Sequence, residues 1–202
     1  MQVAVLGAGG NAGSEITKEL VSRGHEVVAI GRTAEKLPSG EGVTQRPGDV
    51  SDPDQLAELV KGVDVVISAV HFDIPASTFI TGLKKAGVGR LLVTGGAASL
   101  KGADGVMLYD SPHFPAEIKP LVKPAIDFLA DLRSEQELDW TFFSPAMNIF
   151  VGPRLGHYRQ GTEQLVTDDE GESKISYADY AIAMVDELEK HEHSRSRFTA
   201  AY

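Results

Sequence analysis

Between an apolar run and an amphipathic one, the segment Gly7-Ala8-Gly9-Gly10-Asn11-Ala12-Gly13 has almost no side-chain bulk. Another molecule can approach such a backbone closely. The amides at the start of a helix lack partners, and a phosphate placed there accepts hydrogen bonds from them and gains from the helix dipole. Two spacings fit. Gly7, Gly9 and Ala12 match G-x-G-x-x-A, and Gly7, Gly10 and Gly13 match G-x-x-G-x-x-G. No lysine follows to meet a terminal phosphate, so a nucleotide-triphosphatase loop is excluded. The plainer reading is a tight strand-to-helix turn.

Further residues add to this chemistry. An acid about 20 positions past the glycines would bind the ribose of NAD, but the chain reads "AIGRTAEK", with Arg32 and no acid before Glu35. A guanidinium suits the 2′-phosphate of NADP, with Lys36 in support; otherwise Arg32 is a solvated residue after a strand. His71, at a strand end, would line a nicotinamide pocket or act as an acid, against the alternative of a wetted loop histidine. Ser99, Tyr109 and His113 are candidates for substrate contact, with turn capping and core covering as the competing roles. "SPAMNIFVGPRLGHYR", containing Met147 and Tyr158, reads as one wall of a substrate cleft or as a cover over the sheet edge. His191-Glu192-His193 ends a helix with no carboxylate set beside it, so no metal site is assigned. "DDEGE", residues 168–172, is a solvated turn.

The elements that must position these groups follow from hydrophobic spacing. Short, non-alternating apolar runs at 3–6, 27–30, 63–70, 90–94 and 140–143 suit strands buried on both faces. Helical spacing links Ile16 with Leu20, Leu56 with Leu59 behind Asp52-Pro53, Ile126 with Leu129, and Ile182 with Val185; another helix is predicted over 75–85. This alternation predicts an α/β, Rossmann-type, doubly wound and mostly parallel sheet in a single domain, residues 1–202. The closing "SRFTAAY" is predicted to join the sheet edge. The substrate cleft is expected from loops within 94–120 and 144–165, near the carboxyl ends of strands.

Composition narrows the function. At 202 residues and 42% hydrophobic, the chain can bury one core. A net charge of -10 argues against nonspecific attraction to nucleic acid or to an anionic membrane. The absence of cysteine excludes thiolate chemistry, and no apolar run spans a bilayer; a cytoplasmic location is expected.

"VLGAGGNAGSEI", "IGRTAEKL", "GDVSDPDQLAELVKGVDVVISAV", "RLLVTGGAASL" and "LDWTFFSPA" together resemble the atypical short-chain dehydrogenase/reductase group of NAD(P)H-binding proteins. The resemblance lies near the NADH-flavin reductases, with biliverdin reductase B and the NmrA-like proteins as relatives. It implies that Gly7, Gly9, Gly10, Asn11 and Ala12 surround the pyrophosphate, that Arg32 faces the 2′-phosphate, and that Asp49 and Val50 contact adenine. It further implies that Ala69, Val70 and His71 lie along the ribose and nicotinamide. Gly95 and Gly96 follow the next strand, and Pro145 and Ala146 close the nicotinamide end. Two departures stand out. No tyrosine has a lysine four residues on, and Gly96 takes the place of a serine found in flavin and biliverdin reductases, with Ser99 three positions later.

The expected function is an NAD(P)H-dependent oxidoreductase, NADPH-preferring with NAD possible, that passes hydride to FMN, another flavin or a similar conjugated small molecule. The alternative is a non-catalytic NADP-binding redox sensor, which would need a protein partner. A sugar-nucleotide epimerase or dehydratase fits less well without the tyrosine–lysine pair.

Overall fold

The computed structural model describes all 202 residues. Strand β1 (Gln2–Leu6) lies between β2 (Glu26–Gly31) and β4 (Val65–Ser68), and the eight-stranded sheet runs β3-β2-β1-β4-β5-β6-β10-β8. The others are β3 (Val43–Pro47), β5 (Arg90–Thr94), β6 (Asp139–Ser144), β10 (Ser196–Ala201) and β8 (Arg159–Gly161). Only the β10–β8 pair is antiparallel in this sheet. A separate parallel pair joins β7 (Asn148–Phe150) to β9 (Lys174–Ser176).

Alternate residues of each strand supply two cores. Val3, Val5, Val27 and Ala29 face α1 (Asn11–Ser22) and α5 (Tyr177–Lys190). Ala4, Leu6, Val28 and Ile30 face α2 (Pro53–Leu59), α3 (Ala76–Ala86) and α4 (Lys119–Ser134). The runs lack polar alternation because both sheet faces are covered. Asp52 caps α2 as the sequence predicts, accepting from the Asp54 and Gln55 amides at 2.9 Å each. No helix is long and apolar enough to cross a membrane.

The differences from expectation are local. β10 lies inside the sheet, and β8 forms the edge in its place. β3, "VTQRP", is absent from the apolar runs: as the other edge strand its residues are exposed or half-buried, leaving no such run. α4 starts a full turn and more before Ile126, although Pro124 lies inside it. His191 and His193 turn to different acids, Asp139 and Glu187, each at 2.7 Å.

One buried carboxylate ties down the connection ahead of β8. Asp179, fully buried in the first turn of α5, accepts from the amides of Leu155 at 3.0 Å and Gly156 at 2.8 Å and from the Tyr202 hydroxyl at 2.5 Å. Burial pushes its carboxyl up, but these hydrogen bonds outweigh burial and hold it below the usual carboxylate range. Its stabilisation is therefore complete above the unfolded-state value of about 3.9 and is lost as pH falls through the lower native value. Asp179→Asn is expected to cost about 2–3 kcal/mol in urea unfolding at pH 7. The gap to the parent protein should narrow on going to pH 3; a gap independent of pH would refute this assignment.

Candidate functional site

The sheet reverses its winding at β1. The chain leaves β1 to build β2 and β3 on one side and returns to place β4 on the other, so the ends of β1 and β4 flank a crevice. Gly7 turns the chain there with φ of 76°, and a Cβ on it would lie 2.5 Å from the Ala69 carbonyl oxygen. The Gly7 amide donates to the Ile30 oxygen at 2.8 Å, anchoring the turn to β2.

Helix α1 then opens without a cap. Gly10 occupies the cap position and offers no side chain, and the first turn carries no acid. The amides of Gly9, Asn11, Ala12 and Gly13 make no hydrogen bond within the protein. By contrast, Asp52 and Ser176 cap α2 and α5. A helix start left open beside a crevice is a ready anion site.

An open cleft of about 630 Å³ lies along these elements. Gly7, Gly9 and Gly10 line it at the turn, and Arg32 and Lys36 line it beyond β2. Asp49 and Val50 border it after β3, and Ala69, Val70 and His71 after β4. Arg32 and Lys36 are exposed and have no ion-pair partner within 4 Å. Asp49 accepts from the Ser51 amide at 2.9 Å. Hydrogen bonds from Ser51 hold its carboxyl below the usual range, and the Arg32 charge adds to that effect. Unspent cations thus face unspent amides across one groove, an arrangement suited to a ligand bearing several phosphates.

The remaining candidates are placed differently. Asn11 and Ala12 contribute helix-start amides and not a lining side chain. Gly95 lies under the Phe142 ring, where a Cβ would come within 2.2 Å, so packing accounts for this glycine. Gly96 and Ser99 line a second, smaller cavity. Pro145 and Ala146 follow β6 and do not border either cavity, and Ala146 is buried in the core. Tyr109 packs on Phe114 and beneath the Lys119 ammonium, and His113 is exposed; neither lines the cavities.

Tyr158 needs correction. Its hydroxyl donates to Asp186 at 2.6 Å, and Arg23, just past the end of α1, reaches the same carboxylate at 2.7 Å. That places it at the far end of a 12-residue helix from the glycine turn, about 18 Å away. Its neighbour Arg154 pairs with Glu19, so this part of 144–165 runs over α1 and α5 and does not wall the cleft. Met147 is 54% exposed, and its amide donates to Ser173. Sequence reasoning missed Thr33, Ser51, Asp73 and Ile74, which line the cleft from loops that carry no periodicity.

The chain is similar along its whole length to known proteins. A family described as NAD(P)H-binding matches residues 7–191. YwnB, an uncharacterized protein of Bacillus subtilis (strain 168), is 41% identical over 98% of this chain and 97% of its own. A solved structure from Bacteroides thetaiotaomicron, provisionally named an epimerase, is 42% identical with a TM-score of 0.92, covering 100% of this chain and 96% of that one. Another, from Streptococcus pneumoniae TIGR4 and provisionally named an NADH-flavin reductase, is 38% identical with a TM-score of 0.86, covering 100% of this chain and 99% of that one.

Proposed function

The chain belongs to the NAD(P)H-binding family, and from that premise we propose that it is an NADPH-preferring reductase of a flavin or a similar conjugated acceptor. The observation that carries this reading is the uncapped start of α1 facing the unpaired Arg32 across the cleft. The residues present fit such a cofactor. The free amides of Asn11, Ala12 and Gly13 would hold its pyrophosphate, Arg32 with Lys36 its 2′-phosphate, and Asp49 and Val50 its adenine. Ala69, Val70 and His71 would border the ribose and nicotinamide. When bound, the reduced cofactor supplies a hydride.

This chain's own contribution is positioning. Residues four beyond Tyr109, Tyr158, Tyr177 and Tyr180 are His113, Thr162, Ala181 and Met184, so the chain lacks the Tyr-x-x-x-Lys pair that would assist a proton transfer. A flavin is already an electron acceptor and needs to be held more than to be protonated. The relative provisionally named an NADH-flavin reductase supports this acceptor class. The same absence weighs against epimerase chemistry.

Two measurements test the proposal. NADPH should raise the melting temperature more than NADH at equal concentration. With FMN added, absorbance at the nicotinamide band should fall faster than in a protein-free control. Binding without turnover on any acceptor would favour a sensor over a reductase, and no binding of either nucleotide would end both readings.

A further inference from the structure

The second cavity, about 170 Å³, opens where the loop after β5 passes the start of α4. His71 lines the large cleft and the next residue, Phe72, lines this one, so the two adjoin across a single stretch of backbone. One side of the slot is apolar: Phe72, Leu121, Val122, Ala125 and Ile126. The other side is formed by Gly96, Ala97, Ala98 and Ser99.

Their backbone offers four free donors. The amides of Gly96, Ala97, Ala98 and Ser99 make no hydrogen bond within the protein, whereas the Ala97 and Ala98 carbonyls are already taken by the Leu100 and Tyr109 amides at 2.9 Å each. The Ser99 hydroxyl oxygen accepts from Nη1 of Arg197 at 3.0 Å and donates to no protein group. Its proton is therefore free to meet a bound acceptor. Arg197 is 3% exposed, and its charge is met by Glu163, which also pairs with Arg133 at 3.0 Å. A buried guanidinium held on its carboxylate fixes the hydroxyl oxygen, and with it the direction left to the proton.

We propose that this slot binds one six-membered ring bearing a neutral carbonyl oxygen, received by the Gly96–Ser99 amides and the Ser99 hydroxyl, with Arg197 as the residue that positions Ser99. The size fits, since a cavity of about 150 Å³ holds benzene. An aromatic or quinonoid ring lies against the apolar wall while its oxygen meets the free amides and the Ser99 hydroxyl. No charged side chain lines the slot, so nothing there offsets the desolvation of a carboxylate, and a neutral oxygen is favoured. As the acceptor end of a reductase, the slot rests on the function proposed above; as a binding site it is testable alone. It would take a one-ring carbonyl acceptor whole, or one ring of a larger one.

The test is a titration of 15N-labelled protein with acetophenone, ethylbenzene and benzoate. Acetophenone should move the amide protons of Gly96 to Ser99 downfield, and ethylbenzene, of similar size but without oxygen, should leave them nearly in place. Ser99→Ala should weaken acetophenone about fivefold, leaving ethylbenzene unchanged, and Ser99→Thr should restore most of the affinity. Unmoved amides, equal responses to acetophenone and ethylbenzene, or tighter binding of benzoate would overturn the proposal. A parallel NADPH titration reads the Asn11 to Gly13 amides. Its failure would count against the cofactor reading and leave the slot standing, and the reverse result would do the opposite.

Discussion

Gly13→Ala is expected to destabilise the protein by about 3 kcal/mol or more and to abolish the rise in melting temperature given by NADPH. The sign runs against helix propensity, because alanine inside a helix ordinarily gains roughly 1 kcal/mol over glycine. Here the added Cβ would sit 2.2 Å from the Gly7 carbonyl oxygen and 2.9 Å from the Ala8 Cα, both backbone atoms. Gly7 cannot yield, since its amide is bonded to Ile30 and its own Cβ direction is closed by the Ala69 carbonyl. Helix α1 would have to retreat from the sheet, yet it packs along α5. Either way the free amides lose their aim into the cleft. Gly10→Ala is the control: its nearest atom is the Gly7 oxygen at 3.4 Å and it faces the cleft, so unfolding in urea should stay within about 1 kcal/mol of the parent while nucleotide binding weakens. Parental stability in Gly13→Ala would refute the close contact on which the turn depends.

The contrast between these glycines shows what a sequence can and cannot reveal. Both spacing patterns point at the turn, yet neither tells which glycine serves the fold and which leaves room for a ligand. That distinction lies in contacts with Ala69 and Gly7, and for Gly95 in a ring from β6. The buried strands and the Asp52-Pro53 helix start were legible because each is written in adjacent residues. β3, β7 and β9 were not, because an exposed edge and three-residue strands carry no periodicity. Tyr158 misled for the same reason. An aromatic residue in an irregular stretch has a role set by partners far along the chain, in this case Asp186. Ser99 was legible as a candidate, but the guanidinium that orients it is 98 positions away.

Arg32→Asp is expected to raise the Kd for NADPH about 100-fold while changing that for NADH no more than a few-fold. A charge-assisted contact to a phosphate contributes about 1.5–3 kcal/mol, a carboxylate in its place adds repulsion, and each 1.4 kcal/mol is tenfold in affinity. Folding should be untouched, since the Arg32 side chain is exposed and makes no hydrogen bond or ion pair that the substitution would break. The new carboxylate would stand near Asp49, whose charge Arg32 now helps to balance, so the cleft would turn more acidic on the side where a 2′-phosphate would lie. NADH has no phosphate there, and an acid at this position suits its ribose hydroxyls. Lys36→Ala should show the same preference on a smaller scale, and both effects should shrink in high salt, because exposed charges are screened within a few ångströms at 1 M. Titration of each variant with both nucleotides at two ionic strengths reads all of this. Equal losses for NADPH and NADH would remove Arg32 from phosphate recognition and with it the preference for NADPH, while leaving the open start of α1 as the seat of the pyrophosphate.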